Sequence, residues 1–198
     1  MSKAKLLLEP DRCYHIYNHC NGFENIFLDN RDKQRFLEKY IKHIVPIAST
    51  YAYCLMSNHF HVFVKVKAVK ELTETFQPSE GKEATEDWYI RKIAYQFSNF
   101  FNSSALSFNK RYNRMGSLFK RNFERKIVNT EKYFLKLVHY IHHNPVQHGF
   151  ASNIEDWEFS SYNEIVGNKS GFVSISEVIE AFGDIENFKE VHQQPFKL

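Results

Sequence analysis

The chain has 198 residues, 43% of them hydrophobic, which is enough to bury one core and too little for a second catalytic domain beside it. No apolar run reaches the length that spans a bilayer, and the apolar segment within Met1 to Pro10 is too short for a signal peptide, so the chain reads as cytoplasmic with no membrane partner. Cys13, Cys20 and Cys54 are an odd count without zinc-ligand spacing, which points to a reduced compartment. The formal net charge of +3 hides a local cluster of Lys110, Arg111, Arg114, Lys120, Arg121, Arg125 and Lys126, opposed there only by Glu124, and such a stripe suits phosphate groups.

Residues 12–17 read as a short strand, and a loop containing Gly22 follows. Phe36, Tyr40, Ile41 and Ile44 recur at helical spacing among charges, predicting a helix over 31–45 that Pro46 stops. Tyr51 to Met56 reads as a strand, and the turn-like Ser57-Asn58 leads into a second one, implying an antiparallel hairpin. A short helix over 68–76, a polar loop over 77–85 and a helix from Glu86 to Phe101 come next. Asn109 to Ser117 reads as a basic loop and Leu118 to Val128 as an extended segment. Asn129 or Thr130 caps a last long helix, with Glu131 where the helix dipole favours an anion, and Asn144-Pro145 is expected to end it. This order predicts an α+β fold: a ferredoxin-like split βαβ antiparallel sheet with helices packed on one face, over residues 1–165. Residues 166–198 are expected to form a C-terminal extension, helical from Ile175 to Phe182.

The second hairpin strand carries the most informative pattern. In Asn58-His59-Phe60-His61-Val62-Phe63-Val64-Lys65-Val66, strand alternation puts His59, His61, Phe63 and Lys65 on one face and Phe60, Val62, Val64 and Val66 on the other. Two imidazoles roughly 6–7 Å apart at Cα on a strand anchored from behind make a platform for half of a metal site. By itself the pair reads more readily as two surface histidines on a half-buried strand. On the last helix, Tyr140 and Asn144 are four residues apart and stack on one face, presenting a phenol and an amide together. Alone, Tyr140 is more often a core or interface tyrosine and Asn144 more often a helix-ending residue.

Four ordered motifs decide between these readings. Asn58-His59-Phe60-His61-Val62, Gly116-Ser117-Leu118-Phe119-Lys120-Arg121, Tyr140-Ile141-His142-His143-Asn144-Pro145-Val146 and Asp156-Trp157-Glu158-Phe159-Ser160 together resemble the insertion-sequence single-tyrosine transposases of the HUH superfamily. Within them the asparagine-proline form is most similar to the branch called REP-associated tyrosine transposases. The resemblance runs from about residue 12 to 165. It implies that His59, His61 and Asn144 bind Mg²⁺ or Mn²⁺, and that Tyr140 is the nucleophile in cleavage and strand transfer of single-stranded DNA through a 5′-phosphotyrosine link. It implies a hairpin-forming DNA as partner, no nucleotide cofactor, and a monomer acting in cis rather than a dimer.

Arg111, Arg114, Lys120, Arg121 and Arg125 are the candidate nucleic-acid-binding residues. Because ligating imidazoles must be neutral, activity is expected to fail below about pH 6.5. Two other readings keep the same platform: a catalytically silent, domesticated DNA-binding protein, and a nicking endonuclease of the replication or relaxase type. A zinc hydrolase is disfavoured, since the ten histidines form no His-Glu-x-x-His frame.

Overall fold

The computed structural model describes residues 6–22, 24–80 and 83–195; residues 1–5 of the opening apolar stretch, residues 81 and 82 of the polar loop, and residues 196–198 of the extension lie outside that description. Four strands, β1 (Cys13–His19), β2 (Ala48–Leu55), β3 (His59–Val66) and β4 (Glu124–Val128), form one sheet in the order β2-β3-β1-β4. Every neighbouring pair is antiparallel. Helix α1 (Asn30–His43) links β1 to β2, and the short α2 (Val69–Thr75) and long α3 (Glu86–Arg111) link β3 to β4. This is the split βαβ plan expected from the sequence.

Aromatic packing explains where the helices sit. On one face, Phe36 of α1 meets Phe60 of β3 at 5.0 Å between ring centroids and Phe100 of α3 at 4.8 Å. The opposite face holds Phe63 of β3, whose ring lies 4.8 Å from Phe134 of helix α4 (Glu131–Gln147). So α1 and α3 share one face as expected, while α4 covers the other. The physical reason is visible in β3, where both sets of alternating side chains are buried from His59 to Val64.

Two helix ends differ from the sequence reading. Helix α3 continues ten residues past Phe101 because Ser104 and Phe108 prolong its buried stripe, and that packing outweighs the weak helix preference of Asn102-Ser103-Ser104. Helix α4 passes through Pro145 and ends two residues later at Gln147: the ring removes one N–H bond near the helix end, and His148 N–H still reaches the Asn144 carbonyl. The extended segment narrows to β4, since Asn122 turns the chain with φ at 66°.

The remainder buttresses α4 and β2. Trp157 donates its indole N–H to the Leu55 carbonyl at 3.1 Å, and Ser161 Oγ accepts from the Tyr53 N–H at 2.9 Å, so the outer edge of β2 is covered. A 3-10 turn (Ile154–Asp156) and helices α5 (Tyr162–Val166), α6 (Ile175–Phe182) and α7 (Ile185–Gln193) complete the chain, with α6 and α7 against α4. Among the described residues no helix is long and apolar enough to cross a membrane.

Candidate active site

Strand pairing assembles the face that α4 covers. In register, His59 of β3 lies opposite His19 of β1, His61 opposite Tyr17, and Phe63 opposite His15, with Lys126 of β4 beyond His15. Directly opposed residues share a face, so four imidazoles, a phenol and an ammonium line one surface. Tyr140 of α4 lies over it, its ring 5.5 Å from His61 and 6.1 Å from His15, both edge to face. Between sheet and helix is a cleft of about 570 Å³ whose lining includes His59, His61, Lys126, Lys136, Tyr140 and His148.

Hydrogen bonds orient the donor atoms. Asn144 donates its amide Nδ2 to the Tyr140 carbonyl at 2.8 Å. That bond turns the amide so that Oδ1 is buried and accepts no hydrogen bond among the described residues, although it lies near enough to His59 to favour its protonated form slightly. The Asn58 Oδ1 accepts from His59 Nδ1 at 2.6 Å, which leaves Nε2 of a neutral His59 with a lone pair. His61 Nδ1 is bonded to His15 Nε2 at 2.8 Å.

The His59 Nε2 lone pair, the neighbouring His61 imidazole and an orphaned amide oxygen are a donor set in need of a positive partner. A buried acceptor without a donor costs on the order of 1–3 kcal/mol, and a divalent cation would relieve it. The residues therefore fit the Mg²⁺ or Mn²⁺ implied by the motifs, and neutral nitrogen ligands suit Mn²⁺ better than Mg²⁺. Among the described residues no group of three or more His, Cys, Asp or Glu side chains is placed to hold a metal ion.

Burial sets the protonation states. Desolvation holds His59 down to about 4 and His61 well below its ordinary value, with the neighbouring imidazoles adding to the effect. The expected failure of activity below about pH 6.5 is thereby corrected: both imidazoles remain neutral in the folded protein well below that pH.

The basic residues divide. Arg111 is bound to Asp29 and, at 2.6 Å, to Asp32, while Arg114 is bound to Glu24. Arg125 points to the α3 face with its guanidinium 4.1 Å from the Phe123 ring centroid. Lys120 and Arg121 are exposed on the loop before β4, beside a second cleft bordered by Asn102 and Asn109 of α3. None of these five lines the histidine cleft, whose cations are Lys126 and Lys136. The sequence reading passed over His15, Tyr17 and His19, which alternate along β1 as His59 and His61 do along β3. It also passed over His148, which continues the Tyr140, Asn144 spacing by one more turn.

Known proteins resemble this chain at low identity. A Haemophilus influenzae protein named "Putative REP-associated tyrosine transposase" is 26% identical over 123 residues, which cover 59% of this chain and 60% of that protein. This chain is similar to the REP-associated tyrosine transposases. A solved structure described as the "REP associates tyrosine transposase bound to a REP hairpin" matches 88% of this chain and 90% of its own, with a TM-score of 0.55 and 16% identity. The fold of that transposase is thus the fold of this chain. The match to the Haemophilus transposase spans about three fifths of its length. No protein-family model matches.

Proposed function

We propose that this chain cleaves and rejoins single-stranded DNA at hairpin-forming, REP-type sites, with Tyr140 as nucleophile and His59, His61 and Asn144 as ligands of one Mg²⁺ or Mn²⁺. The observation that carries the reading is the Tyr140 ring 5.5 Å from His61, on the helix that also presents the orphaned Asn144 oxygen. When bound, the ion would polarise the scissile phosphate and offset charge developing on its oxygens.

The chain's own residues do the rest. Tyr140 Oη forms a bond to phosphorus as the bond to the 3′-oxygen breaks, and the proton lost by the phenol is balanced by the one the 3′-oxygen gains. The phosphodiester energy is kept in the tyrosine link, so a 3′-hydroxyl reverses the step without a nucleotide. Lys126 and Lys136 face the backbone at the cleft, and Tyr17 offers a ring for stacking. Lys120 and Arg121 are our choice for more distant phosphates. One chain supplies both the histidines and the tyrosine, which supports a monomer acting in cis; residues 1–165 are the catalytic unit and 166–198 an extension whose helices α6 and α7 pack on α4.

A labelled hairpin oligonucleotide with a single-stranded flank, incubated with Mn²⁺, should yield a denaturation-resistant adduct with the wild type and none with Tyr140→Phe. An adduct on the Phe variant would place the nucleophile elsewhere. A wild type that neither binds nor cuts hairpin DNA would end the functional reading.

A further inference from the structure

We propose that His15 is a positioning residue for this site: its Nε2 accepts the Nδ1–H of His61, which leaves the His61 Nε2 lone pair available to a cation. The inference rests on the reading of His61 as a ligand. His15 is buried on β1, next to Tyr17 and one strand from His61. Its Nε2 is 2.8 Å from His61 Nδ1, and the two rings stack with centroids 5.0 Å apart and planes 28° from parallel.

A neutral imidazole carries one proton, so this pair has two arrangements. In one, His61 donates from Nδ1 and keeps a lone pair on Nε2. In the other, His15 donates, His61 carries its proton on Nε2, and that nitrogen cannot bind a metal. The neighbouring ligand shows which arrangement the site is built for. His59 gives its Nδ1–H to Asn58 Oδ1, an amide oxygen that can only accept, so its Nε2 is left unprotonated. His15 holds behind His61 the place that Asn58 holds behind His59, and with its own proton on Nδ1 its Nε2 accepts as the amide oxygen does. An acceptor behind a ligating histidine fixes its tautomer and ring angle and raises its basicity toward the ion. His15 also touches Tyr140 edge-on at 6.1 Å between centroids, so one buried ring braces both a ligand and the nucleophile's ring.

Two variants separate acceptance from shape. His15→Phe keeps a ring and removes the acceptor, whereas His15→Gln keeps an acceptor oxygen at comparable reach and removes the ring. Titrating the DNA-free protein with Mn²⁺ and following free ion by electron paramagnetic resonance should show the Phe variant binding about 10–100-fold more weakly and the Gln variant within about threefold of wild type. A Phe variant that binds as tightly as wild type overturns the proposal, and so do Phe and Gln variants equally weakened, since shape would then be what matters. Nitrogen-15 spectra of the metal-free wild type should find the His61 proton on Nδ1, and finding it on Nε2 overturns the proposal whatever the metal does. A wild type that takes up no Mn²⁺ would refute the metal reading of the site, and the spectra would then decide the His15–His61 bond by themselves. Where the Phe variant fails to fold, the Gln variant and the spectra carry the same decision.

Discussion

Helix α4 is held from behind by a relay of neutral groups, and acid should loosen it. The Tyr53 N–H donates to Ser161 Oγ, whose hydroxyl donates to His142 Nε2 at 2.7 Å; His142 Nδ1–H then donates to His192 Nε2 at 2.8 Å, and His192 Nδ1–H to the Phe188 carbonyl at 2.7 Å. Each nitrogen that could take an extra proton is already an acceptor, and both rings are buried. Desolvation, first of all, and the nearby imidazoles His139 and His143 hold His192 at about 3, against 6.5 for a free histidine. Because the folded value is the lower one, the unfolded chain binds more protons below pH 6.5. The contribution is therefore complete above that pH and is lost as pH falls toward 3. At pH 5 the difference for this one group is roughly 2 kcal/mol, a sizeable part of the 5–15 kcal/mol typical of a domain. Urea unfolding of the metal-free protein at pH 7, 6 and 5 measures it. His192→Gln keeps an acceptor for His142 and a donor for Phe188 but cannot titrate, so it should lose about 2 kcal/mol less than wild type between pH 7 and 5. Equal losses in the two proteins would refute the reasoning.

Other outcomes follow from the site and the core. Asn144→Ala should weaken Mn²⁺ binding by more than about tenfold, the scale on which groups behind the ligands already act, and should abolish the covalent adduct while hairpin binding in EDTA persists. Lys126→Ala should lower the slope of log affinity against log salt for single-stranded DNA by roughly one unit. Arg111→Ala should leave that slope unchanged and lower Tm instead, because Arg111 is held by Asp29 and Asp32. Phe36→Ala should cost about 3–5 kcal/mol in urea melts, since its ring packs on α3, β3 and Phe27 at once.

Local pattern carried much of this protein. The alternation in His59 to Val66 determined which side chains share the face with the two imidazoles, and four-residue spacing put Tyr140 beside Asn144, because strand and helix periods are properties of the backbone. The Thr130 cap was legible for the same reason: its hydroxyl accepts the Tyr133 N–H within three residues. Tertiary structure alone decided what depends on distant partners. Ser104 and Phe108 had to meet their packing partners before α3 could run on to Arg111, and Asp29, Asp32 and Glu24 had to approach before Arg111 and Arg114 became internal ion pairs. His15 gained a role only when β1 paired with β3 in the register that set its ring against His61. The sequence fixes periodicities and caps through contacts a few residues long. Which helix covers which face, which charge is neutralised, and which imidazole takes a proton from which depend on groups far apart in the chain, 46 residues for His15 and His61 and 90 for Arg114 and Glu24, and only the folded chain sums those energies.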